Sequence, residues 1–109
     1  MSTQTVGDFI VERLHQWGIQ RVYGYSGDGI NGVMSALRRA EDKITLVQPR
    51  HEELAAFMAS GHAKSTGETG VVVATSGPGA VDALNGLYDA AKDHMPVVAI
   101  LGQQARVSL

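Results

Sequence analysis

Two stretches of this chain, Gly70-Val71-Val72-Val73-Ala74-Thr75 and Pro96-Val97-Val98-Ala99-Ile100-Leu101, are apolar in continuous runs instead of at every second position. A strand with one wet face alternates apolar and polar residues. An unbroken run rich in β-branched residues fits a strand covered on both sides, as in a parallel sheet flanked by helices. The intervening segments have helical period. Residues 5–17 place Val6, Phe9, Ile10, Leu14 and Trp17 at helical spacing and stop at Gly18. Residues 30–40 place Ile30, Val33, Met34 and Leu37 on one face. Helices are also expected over 52–66, which Gly67 can terminate, and over 80–94. Shorter strands are expected over 19–25 and 44–47, the latter ended by Pro49.

Four strands separated by helices predict an α/β fold, a parallel sheet with helices on both faces in three layers. At 109 residues there is room for one core and no more. Only residues 103–109 follow the last strand, and an apolar parallel strand at an edge is normally covered or paired. The chain is therefore expected to be part of a larger domain.

Composition narrows the function. The net charge is −2 without a basic stripe, so nucleic acid is not an expected partner. The absence of cysteine excludes disulfides, thiolate metal sites and thiol nucleophiles. No apolar run approaches the roughly 20 residues of a membrane span, and no basic segment leads an apolar one at the N-terminus. A cytoplasmic location is expected.

Three glycine- or acid-bearing corners fall where strands end. Gly27-Asp28-Gly29-Ile30-Asn31-Gly32 matches G-x-G-x-x-G after a strand and before a helix, with Glu52 further on, which is the pattern of a dinucleotide-binding turn. Tyr25 and Ser26 intervene, however, a helix precedes the strand, and Glu52 lies beyond Pro49-Arg50-His51. The same glycines can also serve only a tight turn. A metal–diphosphate reading of Gly27-Asp28-Gly29 fails for want of further oxygen ligands. Glu52 and Glu53 open the apolar, alanine-rich helix 52–66. Either can serve the helix dipole, and a carboxylate in apolar surroundings is a means of tuning acid–base chemistry. Adjacent residues diverge around a helix, so one is expected inward and the other outward, with the choice open. Ser76-Gly77-Pro78-Gly79 turns from a buried strand into a helix at the carboxyl end of the sheet, where ligands of open parallel sheets bind. His51 is read as a turn residue, and His15, His62 and His94 as surface or packing residues without metal-ligand spacing.

Arg50-His51-Glu52-Glu53 with Ala55-Ala56-Phe57 and Ala59, then Ser76-Gly77-Pro78-Gly79-Ala80, Asn85-Gly86-Leu87-Tyr88-Asp89-Ala90 and Asp93-His94-Met95-Pro96-Val97 follow in one order. That order, spanning the whole chain (residues 1–109), resembles the N-terminal pyrimidine-binding domain of thiamine-diphosphate enzymes of the pyruvate oxidase and acetolactate synthase family. The later motifs look closer to the oxidases.

The resemblance implies a role for each corner. It selects Glu52 over Glu53 as the carboxylate that holds a ring nitrogen of the cofactor's aminopyrimidine, favouring the tautomer whose exocyclic nitrogen can take a proton from the thiazolium. It places Tyr25, Ser26, Gly27, Pro78 and Asp82 around the pyrimidine. Ser26 stands where proline is common, and Asp82 where the synthases usually have asparagine. Asp28 matches an aspartate used for proton handling in the decarboxylase branch. The resemblance further implies thiamine diphosphate as cofactor and a 2-oxo acid such as pyruvate as substrate. It implies a homodimer or homotetramer with the active site between subunits. It also implies a middle domain that holds FAD in some members, and a C-terminal domain that binds the diphosphate through Mg²⁺. About six strands are usual in such a domain, against four here. The isolated chain is expected to be inert and to bind the cofactor weakly. The rival expectations are an NAD(P)- or FAD-binding domain using Gly27, Gly29 and Gly32, and a non-catalytic module that keeps the fold as an interaction surface.

Overall fold

Valines 71, 72 and 73 point alternately to the two faces of one sheet and are all fully buried, so both faces carry a core. The structure is a computed structural model that describes residues 3–108. Its elements are α1 (Val6–Gln16), β1 (Arg21–Gly24), a 3₁₀ turn (Asp28–Ile30), α2 (Asn31–Arg39), β2 (Thr45–Val47), α3 (Glu52–Thr66), β3 (Gly70–Ala74), α4 (Pro78–Lys92), β4 (Val97–Leu101) and a last 3₁₀ turn (Arg106–Ser108). The four strands run parallel in the order β2-β1-β3-β4. On one face Val22, Val71 and Val73 pack against Val11 and Leu14 of α1 and Ala36 and Leu37 of α2. On the other, Tyr23 and Val72 pack against Ala55, Ala56 and Ala59 of α3 and Ala83 of α4. This is the expected three-layer α/β parallel architecture.

The sheet order matters for function. From β1 the chain moves to β2 on one side; from β3 it moves to β4 on the other. The direction of winding reverses between β1 and β3, which leaves a crevice at their carboxyl ends.

Several boundaries and faces differ from the sequence-based expectation. In α1 the buried residues are Gly7, Val11 and Leu14, while Val6, Phe9 and Trp17 are exposed. The helix is turned toward Gly7 because a β-carbon there would lie 2.6 Å from the Gly32 carbonyl oxygen; α1 and α2 meet at that glycine. Thr5 caps α1 reciprocally with Asp8, whose carboxylate also binds Arg39 of α2 at 2.7 Å. α4 begins at Pro78, two residues early, since proline fits the first helical position, where no N–H is needed. β4 is half-buried, not buried, because it is an edge of this four-stranded sheet.

α3 approaches its neighbours through small residues. A β-carbon on Gly86 of α4 would sit 2.5 Å from the Ala56 carbonyl carbon and 2.6 Å from the Phe57 nitrogen. Across the same helix pair, buried Ser60 donates to Asp89 at 2.8 Å, and Lys64 bridges Asp89 at 2.8 Å and Asp93 at 2.6 Å. Lys64 first, and Ser60 second, hold the Asp89 carboxyl below its ordinary value.

Gly86→Ala is expected to cost about 1–3 kcal/mol by overpacking. Gly61→Ala, in the same pair of helices but with nothing within 4 Å, is expected to stabilise by about 0.5–1 kcal/mol; urea unfolding of both variants decides. Because the folded-state value of Asp89 is depressed, its contribution is present above the ordinary 3.8 and is lost as pH falls below it. Asp89→Asn is therefore expected to flatten the acid limb of the stability–pH curve. An unchanged slope would count against the clamp.

Candidate functional site

The crevice is built by loops that only glycine permits to meet. After β3, Thr75 accepts a hydrogen bond from the Gly29 N–H at 2.9 Å, joining the connection after β1 to the end of β3. A β-carbon on Gly27 would lie 2.6 Å from Thr75 Cβ, and one on Gly29 2.7 Å from Thr75 Oγ1. One on Gly79, in the first turn of α4, would lie 2.7 Å from Thr75 Cγ2 and 3.0 Å from Glu52 Oε2. Gly102, just past β4, abuts Gly29 and Ser76. Between β3 and α4, Gly77 takes φ +65°, a left-handed conformation that side chains other than glycine's rarely adopt. The carboxyl ends of β1, β3 and β4 and the N-termini of α3 and α4 thus gather around Thr75 and its neighbours Ser76 and Gly79.

Glu52 is the first residue of α3, half-buried beside Gly79. Among the described residues it takes no hydrogen bond or ion pair from a protein donor. Glu53 differs: it is also half-buried, but its carboxylate accepts from Asn85 of α4 at 2.7 Å. The expected inward–outward split is therefore replaced by two carboxylates that both meet α4, one engaged and one free. His51 caps α3, its Nδ1 accepting the Glu53 N–H at 3.2 Å, and its Nε2 lies 3.4 Å from Asp82 Oδ2. One donor atom each of His51, Glu52 and Asp82 lies within 4.8 Å of the others.

Of the remaining sequence candidates, Tyr25 (half-buried), Ser26 (exposed) and Gly27 follow β1, and exposed Pro78 opens α4; all lie at the same end of the sheet. The Tyr25 N–H donates to the Val73 carbonyl, which seats that connection on β3. Asp28 is exposed at the start of the 3₁₀ turn. His62 lies away from this end, packed on the Tyr23 ring and hydrogen-bonded with its hydroxyl at 3.1 Å, as a packing residue. Sequence reasoning missed Thr75, Gly102 and the cap at His51. The only signal for the last was a polar side chain immediately before a helix-opening Glu-Glu pair.

The dinucleotide-binding alternative loses ground on this geometry. Gly27 and Gly29 are pressed against Thr75 and Ser76, so their lack of a side chain serves loop packing rather than approach to a pyrophosphate. A concavity of about 740 Å³ lies elsewhere, as a groove between α1 and α2 lined by Asp8, Glu12, His15, Arg39, Asp42 and Lys43. Its central charges, Asp8 and Arg39, already neutralise each other across the helix pair. The free carboxylate, the left-handed glycine and the converging strand ends are all at the Thr75 crevice.

These features define an α/β domain that holds a carboxylate without a protein donor among the described residues at a topological switch point. Residues 4–109 match the family described as thiamine pyrophosphate enzyme, N-terminal TPP binding domain, and the chain belongs to that family. It is 48% identical over 94% of its length to a Bacillus subtilis (strain 168) protein provisionally named thiamine pyrophosphate-containing protein YdaP, covering 18% of that protein. It is 44% identical over 89% of its length to a pyruvate oxidase of Lactiplantibacillus plantarum, covering 16% of it. To a chloroplastic acetolactate synthase of Arabidopsis thaliana it is 43% identical over 91%, covering 15%. The chain thus spans less than a fifth of the length of these relatives. No described helix is long and apolar enough to cross a membrane.

Thr75→Val is expected to strand the Gly29 N–H and cost about 1–3 kcal/mol, with faster amide hydrogen exchange at Gly29. Thr75→Ser keeps the acceptor and should leave that exchange rate near its original value. Equal rates in the two variants would mean that the hydroxyl does not hold the loop.

Proposed function

We propose that this chain is the pyrimidine-binding part of a thiamine-diphosphate-dependent enzyme that decarboxylates pyruvate or a related 2-oxo acid and passes the two-carbon unit to oxidation or to an acceptor. The observation that carries the reading is the free carboxylate of Glu52, held beside Gly79 at the crevice end of the sheet. Glu53, a residue away, is already bonded to Asn85 and is not available in the same way.

The residues fit such a group. Glu52 offers an acceptor to a ring N–H, and Gly79 leaves backbone without a side chain beside it. Tyr25, Ser26, Gly27, Pro78 and Asp82 are the further residues proposed to surround the pyrimidine. When bound, thiamine diphosphate supplies the carbon nucleophile and the electron sink that decarboxylation requires. Glu52 would hold a proton at the pyrimidine nitrogen, and so set which nitrogen of that ring can act as a base. Thr75 would keep the loops after β1 and β3 in register while this happens.

The remainder of the machinery is proposed for the full-length protein. A C-terminal domain would hold the diphosphate through Mg²⁺, and a middle domain would hold FAD if the enzyme is of the oxidase type. The site would form between subunits of a homodimer or homotetramer, in the cytoplasm. In support of a covered surface, α3 and α4 expose the large apolar side chains Leu54, Phe57, Val81, Leu84 and Tyr88.

Glu52→Gln in the full-length protein is expected to lower pyruvate turnover by orders of magnitude while leaving the thermal unfolding profile in place. The purified 109-residue chain is expected to consume no pyruvate. A retained rate in the first experiment, or turnover in the second, contradicts the proposal.

A further inference from the structure

His51 links the backbone of α3 to a charged side chain of α4. Its backbone is extended (φ −153°, ψ 144°), and its Nδ1 accepts the Glu53 N–H at 3.2 Å as the cap of α3. A ring nitrogen that accepts carries no proton, so the proton of the ring is on Nε2. That nitrogen is 3.4 Å from Asp82 Oδ2. The helix cap therefore sets the tautomer, and the tautomer puts a donor nitrogen close to a carboxylate.

The same reasoning decides what the trio His51, Glu52 and Asp82 is for. One imidazole and two carboxylates whose donor atoms lie within 4.8 Å of one another are the residue types of a metal site. Ligation through Nε2 would require its proton to move to Nδ1, which would then face the Glu53 N–H donor to donor. The cap opposes that. Instead, two carboxylates that repel when both are ionised share a neighbourhood with one N–H, whose nitrogen lies 3.4 Å from Asp82. Glu52 is left without a protein donor.

We infer that His51 is a positioning residue. It engages the Asp82 carboxylate so that Glu52 alone presents an unsatisfied acceptor to the pyrimidine. The inference rests on the proposed function. The imidazole and carboxylate side chains are 55% and 37% exposed, so the pair by itself contributes little to stability; what it supplies is orientation.

The test uses the full-length protein and three variants: His51→Asn, Asp82→Ala and the two combined. Asparagine is among the best helix caps, so α3 keeps its start while the reach to Asp82 is lost; alanine is neutral to favourable within α4. In the cofactor-free protein, ¹⁵N NMR of the His51 ring should show the Nε2–H tautomer, and a ring protonated at Nδ1 overturns the inference. Calorimetric titration with thiamine diphosphate and Mg²⁺ should show His51→Asn weakening binding roughly three- to tenfold, the scale of one net hydrogen bond. On the Asp82→Ala background the same substitution should change the dissociation constant by less than about twofold, because its partner is gone. An equal shift on both backgrounds, or no shift on either, overturns the inference. Glu52→Gln separates the two claims. Binding that responds to Glu52→Gln but not to His51→Asn defeats only the role of His51, whereas a full-length protein that does not bind thiamine diphosphate defeats the function and the inference together.

Discussion

Small residues set the close approaches in this domain, two of them backbone against backbone and a third against a side chain. Gly70 of β3 abuts the Ala59 carbonyl, Gly86 of α4 lies over Ala56, and Gly79 lies beside Glu52. Larger side chains at any of these would hold α3 further from the sheet or from α4. The alanine face of α3, with Ala55, Ala56, Ala59 and Ala63 buried, is the counterpart of those glycines. Such close packing gives up the area a leucine would bury. It gains a fixed separation between two helix N-termini, and that separation places Glu52 and Asp82 beside each other.

Thr75 ties together the loops that this helix spacing brings close. This residue is the first after a strand buried on both faces, so its position is set by the most constrained element of the fold. Its hydroxyl and methyl touch the connection after β1 and the first turn of α4 together. Motion of either loop is therefore coupled to the other. A catalytic group on a helix terminus, supported by such a junction, is better defined than one on a free loop.

Much of this was legible in the chain because of its periodicities. The continuous valine run at 71–73 announced a strand buried on both faces, and the alternation of helix and strand announced the parallel sheet and the crevice at its carboxyl end. Motif order pointed to the family that the comparison then confirmed. The face of α1 was misread because apolar residues at Val6, Phe9 and Trp17 outnumbered the signal of Gly7, and a glycine that admits a neighbouring carbonyl has no hydrophobic signature. The start of α4 was placed late because Pro78 was taken as part of a turn, although proline is at home in the first turn of a helix. The engagement of Glu53 by Asn85, which separates the two carboxylates, is a contact 32 positions apart in the chain. No local pattern encodes it.

The paired charges are divided by location. Those that bind helix to helix lie away from the crevice, at Asp8–Arg39 on one face and at Ser60–Asp89–Lys64 more than two turns down α3 on the other. In the crevice, Glu52 has no protein partner among the described residues and the exposed His51 and Asp82 side chains approach only to 3.4 Å, so these groups hold little of the fold together. Substitutions among residues 25–28 and 76–82 that spare the packed glycines and Thr75 can therefore accumulate without eroding the scaffold. The rim at the carboxyl end of the sheet can thus differ between related chains while the buried valines and the alanine face of α3 stay as they are.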